Sequence, residues 1–194
     1  PEIEAFTRWL TPRMKNVNLS SQRLHDSAKA LEEQVTFLGG LLVPAHIFTP
    51  YKSLFSSGIT RVNELLTPVR VDAVELGLSA DTRMASQLST LDSYPFLTNS
   101  DAHSLATIAR EYTSLHLHQP TFDEWRQALK NDQGRKIAAN YGLHPLLGKY
   151  HTTVCKSCNY TAAAEKHSLL EAGTETRKCP NCGRGGFVSG VEAR

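Results

Sequence analysis

The chain has 194 residues, 40% of them hydrophobic, and its 21 Lys and Arg against 19 Asp and Glu give a formal net charge of +2 at pH 7. This is an ordinary globular composition, sufficient for one main core and a small appendage, and such a charge indicates no partner by itself. No apolar run approaches the roughly 20 residues that a membrane helix needs, and no secretory signal is evident, so we expect a cytoplasmic protein without a membrane partner.

The first half of the chain alternates helical and strand patterns. Apolar residues at helical spacing predict helices over residues 2–14 and 21–37, and Gly39-Gly40 ends the second. The apolar run 41–46 predicts a strand buried on both faces, and residues 69–75 and 95–98 repeat the pattern. Helical stretches at 61–66 and 81–91 separate these strands. The alternation predicts an α/β fold with a parallel sheet.

Ionisable residues stand where the predicted strands end: His46, Glu75, and then Asp101 with His103. In parallel α/β folds the chemistry lies beyond the carboxyl ends of the strands. Imidazole and carboxylate ligands together suit Zn²⁺, Mn²⁺ or Fe²⁺ in hydrolytic sites. Any one of these residues taken alone is more often structural, and His46 after Pro44 is also compatible with a hydrogen-bonded core histidine. Their shared placement favours a metal site.

The second half is predicted to be mainly helical before a small separate module. Residues 101–112 are predicted to form a helix that begins at the Asp-x-His sequence. Thr121 and Glu124 have the spacing of a capping box for a helix that ends near residue 130. Residues 141–150 contain glycine and proline at short intervals, and we interpret them as a loop that leads to the last module. The predicted domains are residues 1–145 and 146–194.

All four cysteines lie in this last module, as two Cys-x-x-Cys pairs formed by Cys155, Cys158, Cys179 and Cys182. Two such pairs complete a tetrahedral thiolate shell, which favours a structural Zn²⁺ without an open position for chemistry. Redox dithiols and iron–sulfur ligation are the less favoured interpretations. The module also carries basic residues that suit either a nucleic-acid backbone or an ordinary charged surface: Lys149, Lys156, Lys166, Arg177, Lys178 and Arg184.

Three segments resemble the later motifs of the PHP (polymerase and histidinol phosphatase) metallohydrolases: residues 44–50, 74–82 and 98–104. Together with residues 109–112 and 148–151 ahead of the cysteines, they resemble more narrowly the endonuclease Q branch. The resemblance implies a distorted barrel of parallel strands that binds two or three divalent ions (Zn²⁺, Mn²⁺ or Mg²⁺). It also implies a DNA endonuclease of DNA repair that nicks 5′ to deaminated bases such as uracil or hypoxanthine.

Transferred motif by motif, the resemblance implies that His46, Asp101 and His103 bind metal, with Glu75 a further ligand. Asp101, His103 and Glu75 are then the expected catalytic residues, and Asp101 the essential one. A second group lies in or beside the motif segments and is a candidate for contact with phosphate or substrate: Lys52, Asn99 and Arg110. Each of them is equally compatible with a surface or capping role.

One family motif is missing from this chain. PHP proteins begin with a His-x-His motif on the first strand, and nothing before His46 supplies it. His116-Leu117-His118 has that form but follows the Asp-x-His motif, so we interpret it as a surface segment. We therefore expect an incomplete barrel, which is inactive alone or completed by homo-oligomerisation. The alternatives are a phosphoesterase for a small phosphorylated metabolite and a non-catalytic nucleic-acid-binding zinc module on a decayed scaffold.

Overall fold

The computed structural model describes residues 1–19, 22–49, 53–55, 59–147, 154–160 and 178–188. Within these ranges no helix is both long and apolar enough to cross a membrane. The regular elements are α1 (Glu2–Leu10), α2 (Ala28–Phe37), β1 (Val74–Glu75), α3 (Thr82–Ala85), β2 (Phe96–Leu97), β3 (Tyr112–His116), α4 (Phe122–Leu129), β4 (Lys136–Tyr141), β5 (Val154–Cys155) and β6 (Phe187–Val188).

The two predicted early helices are present, and both end near the predicted residues. α1 continues into a 3-10 turn at Thr11–Arg13. α2 begins later than predicted, at Ala28, because the Ser27 side chain caps it by accepting from the N–H of Ala30 at 3.0 Å. Gly39, with a φ of 69°, stands just past its end, as a left-handed residue after a helix commonly does.

A pair of parallel strands forms the centre of the fold. In this pair, Val74 of β1 lies opposite Phe96 and Glu75 lies opposite Leu97 of β2. Residues 42–47 run along the other edge of β1: the N–H of Glu75 donates to the carbonyl of Pro44 at 3.1 Å, and the N–H of Ile47 donates to the carbonyl of Glu75 at 2.9 Å. The predicted parallel arrangement is therefore present, although its regular strands are shorter than predicted.

Both faces of this sheet are covered by apolar side chains. Val74 and Leu76 belong to a cluster of buried side chains on one side. Ala73 and Leu97 pack in a second cluster with Leu129 of α4. Apolar residues are favoured at every position of a strand that is buried on both faces.

The predicted helix over residues 101–112 does not form. Asp101 has a φ of 45° and Ala109 a φ of 56°, and such left-handed residues do not occur inside a right-handed helix. Only a 3-10 turn, Leu105–Thr107, lies between them. The chain then enters β3, which pairs antiparallel with β4 across a connection that contains α4. The sequence patterns do not predict this strand pair.

The predicted start of α4 is confirmed, but Glu124 does not have the role that a capping box gives it. Thr121 accepts from the N–H of Glu124 at 3.3 Å, as an N-cap does. The Glu124 carboxylate does not return to the cap; it accepts from the N–H of His118 at 2.8 Å and from the Arg135 guanidinium at 2.6 Å. α4 is thereby tied to the loops that follow β3 and precede β4.

Candidate metal centres

Two similar backbone turns position the four cysteines. In the first turn the N–H of Asn159 donates to the carbonyl of Cys155 at 3.0 Å, and in the second the N–H of Gly183 donates to the carbonyl of Cys179 at 2.8 Å. Asn159 and Gly183 occupy the same left-handed region, with φ of 57° and 70°. Each Cys-x-x-Cys pair is thus closed into one tight turn, and the two turns face each other.

The four sulfur atoms fit a single tetrahedral ion. The Sγ atoms of Cys155 and Cys182 are 3.7 Å apart, those of Cys158 and Cys179 are 3.6 Å apart, and all four lie within 4.8 Å of one another. A tetrahedron with Zn–S bonds of about 2.3 Å has edges of about 3.8 Å. The predicted four-cysteine cluster is therefore assembled and can hold a metal ion. In the described part of the chain it is the one group of three or more His, Cys, Asp or Glu side chains that close together.

Hydrogen bonds onto sulfur favour the thiolate form that metals bind. The side-chain amide of Asn181 donates to the Sγ of Cys158 at 3.5 Å, and the N–H of Ser157 donates to the Sγ of Cys155 at 3.4 Å. The Asn181 amide, aided by the backbone at Tyr160, lowers the pKa of Cys158 to about 6. The shift at Cys182 is the opposite: the backbone hydrogen bond at Arg184 lowers its pKa, but burial and the neighbouring sulfurs outweigh that bond and raise the pKa to about 11, so metal binding must displace a proton there.

His46 and Glu75 are brought together at the carboxyl end of β1. The N–H of His46 donates to Oε2 of Glu75 at 2.7 Å. Burial raises the pKa of the Glu75 carboxyl, and the nearby charge of Asp101 adds to the rise, while the N–H of His46 opposes it. Nδ1 of His46 and Oε1 of Glu75 are buried and have no hydrogen-bond partner among the described residues. A free imidazole nitrogen and a free carboxylate oxygen are both atoms of the kind that bind a metal ion.

Asp101 and His103 follow β2 and remain exposed. Nδ1 of His103 lies 2.7 Å from the carbonyl oxygen of Asp101. Because a carbonyl oxygen only accepts, Nδ1 carries the proton and Nε2 is the nitrogen available for a metal. Asp101 and His46 (φ of 33°) are both non-glycine residues in the left-handed region. Such conformations cluster at functional sites, where the surrounding structure maintains them.

Gly77 leaves the space that His46 occupies, and the sequence patterns do not predict this. Gly77 has a φ of 70°, and a Cβ added there would lie 2.7 Å from the Cβ of His46 and 3.3 Å from Oγ1 of Thr49. Only glycine permits this approach. The sequence signal was the glycine two residues after a strand-end carboxylate.

The predicted substrate-contacting residues are dispersed. Asn99 is exposed. Its backbone N–H lies close to the Glu75 carboxylate and acts to lower the pKa of that group. The Arg110 guanidinium donates to Oε1 of its neighbour Glu111 at 2.5 Å. Lys52 lies outside the described residues. His116 and His118, the predicted surface segment, are exposed.

Comparison with known proteins identifies relatives over the whole chain. The family model described as PHP-associated matches residues 81–133. The uncharacterized protein YqxK of Bacillus subtilis (strain 168) is 47% identical over 194 residues, which are 100% of this chain and 48% of that protein. The uncharacterized protein MJ0043 of Methanocaldococcus jannaschii is 39% identical over 154 residues, 76% of this chain and 18% of that protein.

Two solved structures are similar in fold and sequence. The lesion-specific endonuclease PfuEndoQ from Pyrococcus furiosus has a TM-score of 0.79 and 34% identity, over 98% of this chain and 46% of that one. A complex of endonuclease Q with a 27-mer duplex substrate, which has an abasic lesion at the active site, has a TM-score of 0.82 and 34% identity, over 97% and 47%. The chain therefore spans about half the length of YqxK and of both structures.

Proposed function

This chain is a PHP-associated, endonuclease Q-like protein with a PHP-type α/β fold and a four-cysteine module, and on that basis we propose that it is part of a metal-dependent DNA endonuclease. Its cut would lie 5′ to a deaminated base, in the repair of uracil or hypoxanthine. The observation that carries the proposal is the pair of unpartnered buried atoms at the carboxyl end of β1, Nδ1 of His46 and Oε1 of Glu75.

The proposed hydrolytic site uses four side chains: His46, Glu75, Asp101 and His103. No three of them form a close group of ligand atoms in the described part of the chain, so the proposal requires them to draw together when ions bind. Glu75 fixes the His46 backbone through its Oε2 and leaves Oε1 for a ligand. His103 is held by the Asp101 carbonyl in the tautomer whose Nε2 accepts. When bound, divalent ions would supply a nucleophile at neutral pH and neutralise charge on the phosphate. Asp101, His103 and Glu75 are the residues that we propose as catalytic.

The cysteine module is proposed to be a structural zinc site that contacts the DNA backbone. Lys156, Lys178 and Arg184 are exposed there and form no ion pair among the described residues. Exposed cations beside a rigid metal-bound turn suit phosphate contacts, which position a protein without reading sequence. Lys149, Lys166 and Arg177 lie outside the described residues. We propose the boundary between the two parts near residue 146, and Asn99, Arg110 and Lys52 as further contacts to substrate.

A nicking assay tests the proposal. The substrates are labelled duplexes with one deoxyuridine, one deoxyinosine, one abasic site or no lesion, with Mn²⁺ or Mg²⁺. The proteins are this chain and a version extended by the His-x-His segment of the family, each also with Asp101→Asn. Asp92→Asn is the matched control, because Asp92 is exposed and precedes β2, whereas Asp101 follows that strand.

We expect the extended protein to cut beside lesions only, Asp101→Asn to abolish cutting and Asp92→Asn to leave it unchanged. Failure of the extended protein to cut any duplex with either metal contradicts the endonuclease proposal. Cutting that survives Asp101→Asn contradicts the assigned site.

A further inference from the structure

A groove of about 600 Å³ lies between α1, α4 and residues 38–41 at the end of α2. None of the side chains proposed for metal binding lines it. Most of its wall is apolar and consists of Ile3, Phe6, Val35, Leu38, Leu41 and Trp125. Contiguous apolar surface of this kind marks a site of interaction on a protein that is otherwise well packed.

α1, which forms one wall of the groove, has an apolar face that the described residues do not cover. Ile3, Phe6 and Leu10 recur at helical spacing, yet no residue of α1 is buried and Ile3 is 83% exposed. A short helix gains most of its stability when such a face packs against another surface. Ile3 is therefore an exposed apolar side chain at the edge of a groove that is itself apolar.

The groove also contains a cation whose charge no described carboxylate balances. Arg126 donates to the carbonyl of Gly39, and its guanidinium carbon lies 5.1 Å from the centroid of the Phe122 ring. Its Nε is buried without a hydrogen-bond partner, and Arg126 forms no ion pair within the described ranges. A cation against apolar side chains attracts a carboxylate strongly, because little solvent screens the attraction.

Glu2 is the acidic residue of the same groove, and it does not pair with Arg126. Its side chain is 69% exposed and lies 3.8 Å from the Pro1 ammonium, which is itself fully accessible. An exposed ion pair of this kind contributes little. The groove thus combines an exposed apolar side chain, an apolar recess, an available acid and an unbalanced base, and such a surface is complementary to itself.

We propose that the groove docks a second copy of this chain about a two-fold axis. Ile3 of each copy enters the groove of the other, and Glu2 of each copy pairs with Arg126 of the other. In a two-fold contact every pair of residues meets twice, so the unbalanced charges of both copies are matched together. The exposed face of α1 is covered by the same contact.

The charges of the groove favour a copy of this chain over an acidic peptide. Such a peptide would match Arg126 and repel Glu2, whereas a second copy supplies one partner for each. A segment from the rest of a longer protein is the other occupant to be distinguished, since the chain spans about half the length of YqxK and of both similar structures.

Sedimentation equilibrium of the zinc-loaded chain over a concentration series measures the association, and we expect a monomer–dimer equilibrium. Ile3→Glu places a charge in the apolar contact and should raise the dissociation constant about 100-fold or more. Val69→Glu is the matched control, because Val69 is 92% exposed and does not line the groove. This control should leave the dissociation constant unchanged.

Glu2→Arg and Arg126→Glu test the ion pair. Each variant alone places like charges together at both contacts, so its dissociation constant should rise about 10- to 100-fold. In a heterodimer of the two variants both contacts again join opposite charges, and an equimolar mixture should associate within about tenfold of wild type. Glu2 is exposed, so the effect of Glu2→Arg does not depend on folding.

A chain that stays monomeric overturns the proposal, and so does a dimer that neither Ile3→Glu nor Glu2→Arg weakens. The version extended by the His-x-His segment distinguishes the other occupant. If the extended protein is monomeric while this chain dimerises, the added segment covers the groove and the assignment to a second copy fails. Dimerisation of both proteins, with the same loss on Ile3→Glu, supports the assignment.

Discussion

Replacing Gly77 by alanine should separate backbone strain from displacement of His46. Gly77 (φ of 70°) and Gly39 (φ of 69°) have nearly the same conformation, so an alanine Cβ costs about 1–2 kcal/mol at either position. At Gly39 an added Cβ meets nothing within 4 Å, whereas at Gly77 it lies 2.7 Å from the Cβ of His46. Relieving that overlap costs a further 1–3 kcal/mol or so. We expect Gly77→Ala to destabilise the chain by about 2–5 kcal/mol and Gly39→Ala by about 1–2 kcal/mol.

Urea unfolding of the zinc-loaded chain measures the free energy of unfolding of both variants. Calorimetric titration with Mn²⁺ measures metal binding at the proposed hydrolytic site. Displacing His46 should weaken Mn²⁺ binding about 10- to 100-fold in Gly77→Ala only, since groups that orient a ligand affect affinity by this much. Equal destabilisation of the two variants, with unchanged Mn²⁺ binding, refutes the argument that Gly77 positions His46.

Two further predictions concern other parts of the chain. Cys158→Ser should reduce zinc content from about one ion per chain to none, measured by elemental analysis, whereas Ser157→Ala, which keeps the N–H that contacts Cys155, should retain zinc. Zinc retained by Cys158→Ser contradicts the four-thiolate site. The second prediction concerns pH: the Arg135 guanidinium lowers the pKa of Glu124 from 4.5 to about 2, so the folded state gains stability from this carboxylate above about pH 4.5 and loses it as the pH falls through about 2. The urea midpoint of wild type should therefore drop more steeply than that of Glu124→Gln between pH 4.5 and 2, and parallel curves contradict the pairing.

The cysteine site was predictable because the spacing of the cysteines is enough to define the local turns that present their sulfurs. A Cys-x-x-Cys pair needs only one tight turn to present two sulfurs, and that turn is local in sequence. Two pairs within 40 residues leave few arrangements other than one shared ion. The structure adds the detail that spacing does not contain, namely the Asn181 amide that lowers the pKa of Cys158.

The sequence predicted which residues lie at the strand ends, but not their contacts or backbone conformations. Strand order along the chain indicates that His46, Glu75 and Asp101 approach one edge of a sheet. Sequence does not indicate that Glu75 binds the His46 backbone, or that Asp101 adopts a left-handed φ that stops the predicted helix. The first is a contact between residues 29 positions apart, which no local pattern encodes.

Local sequence determined several of the caps and turns, because these depend on neighbours a few positions apart. Gly39, Thr121 and the two cysteine pairs are of this kind. Tertiary structure alone decided that Glu111 is buried with one unpartnered oxygen and that Gly77 lies against His46. The contact of Gly77 with His46 joins residues far apart in the sequence, and the burial of Glu111 depends on packing between separate elements, so no local pattern encodes either of them.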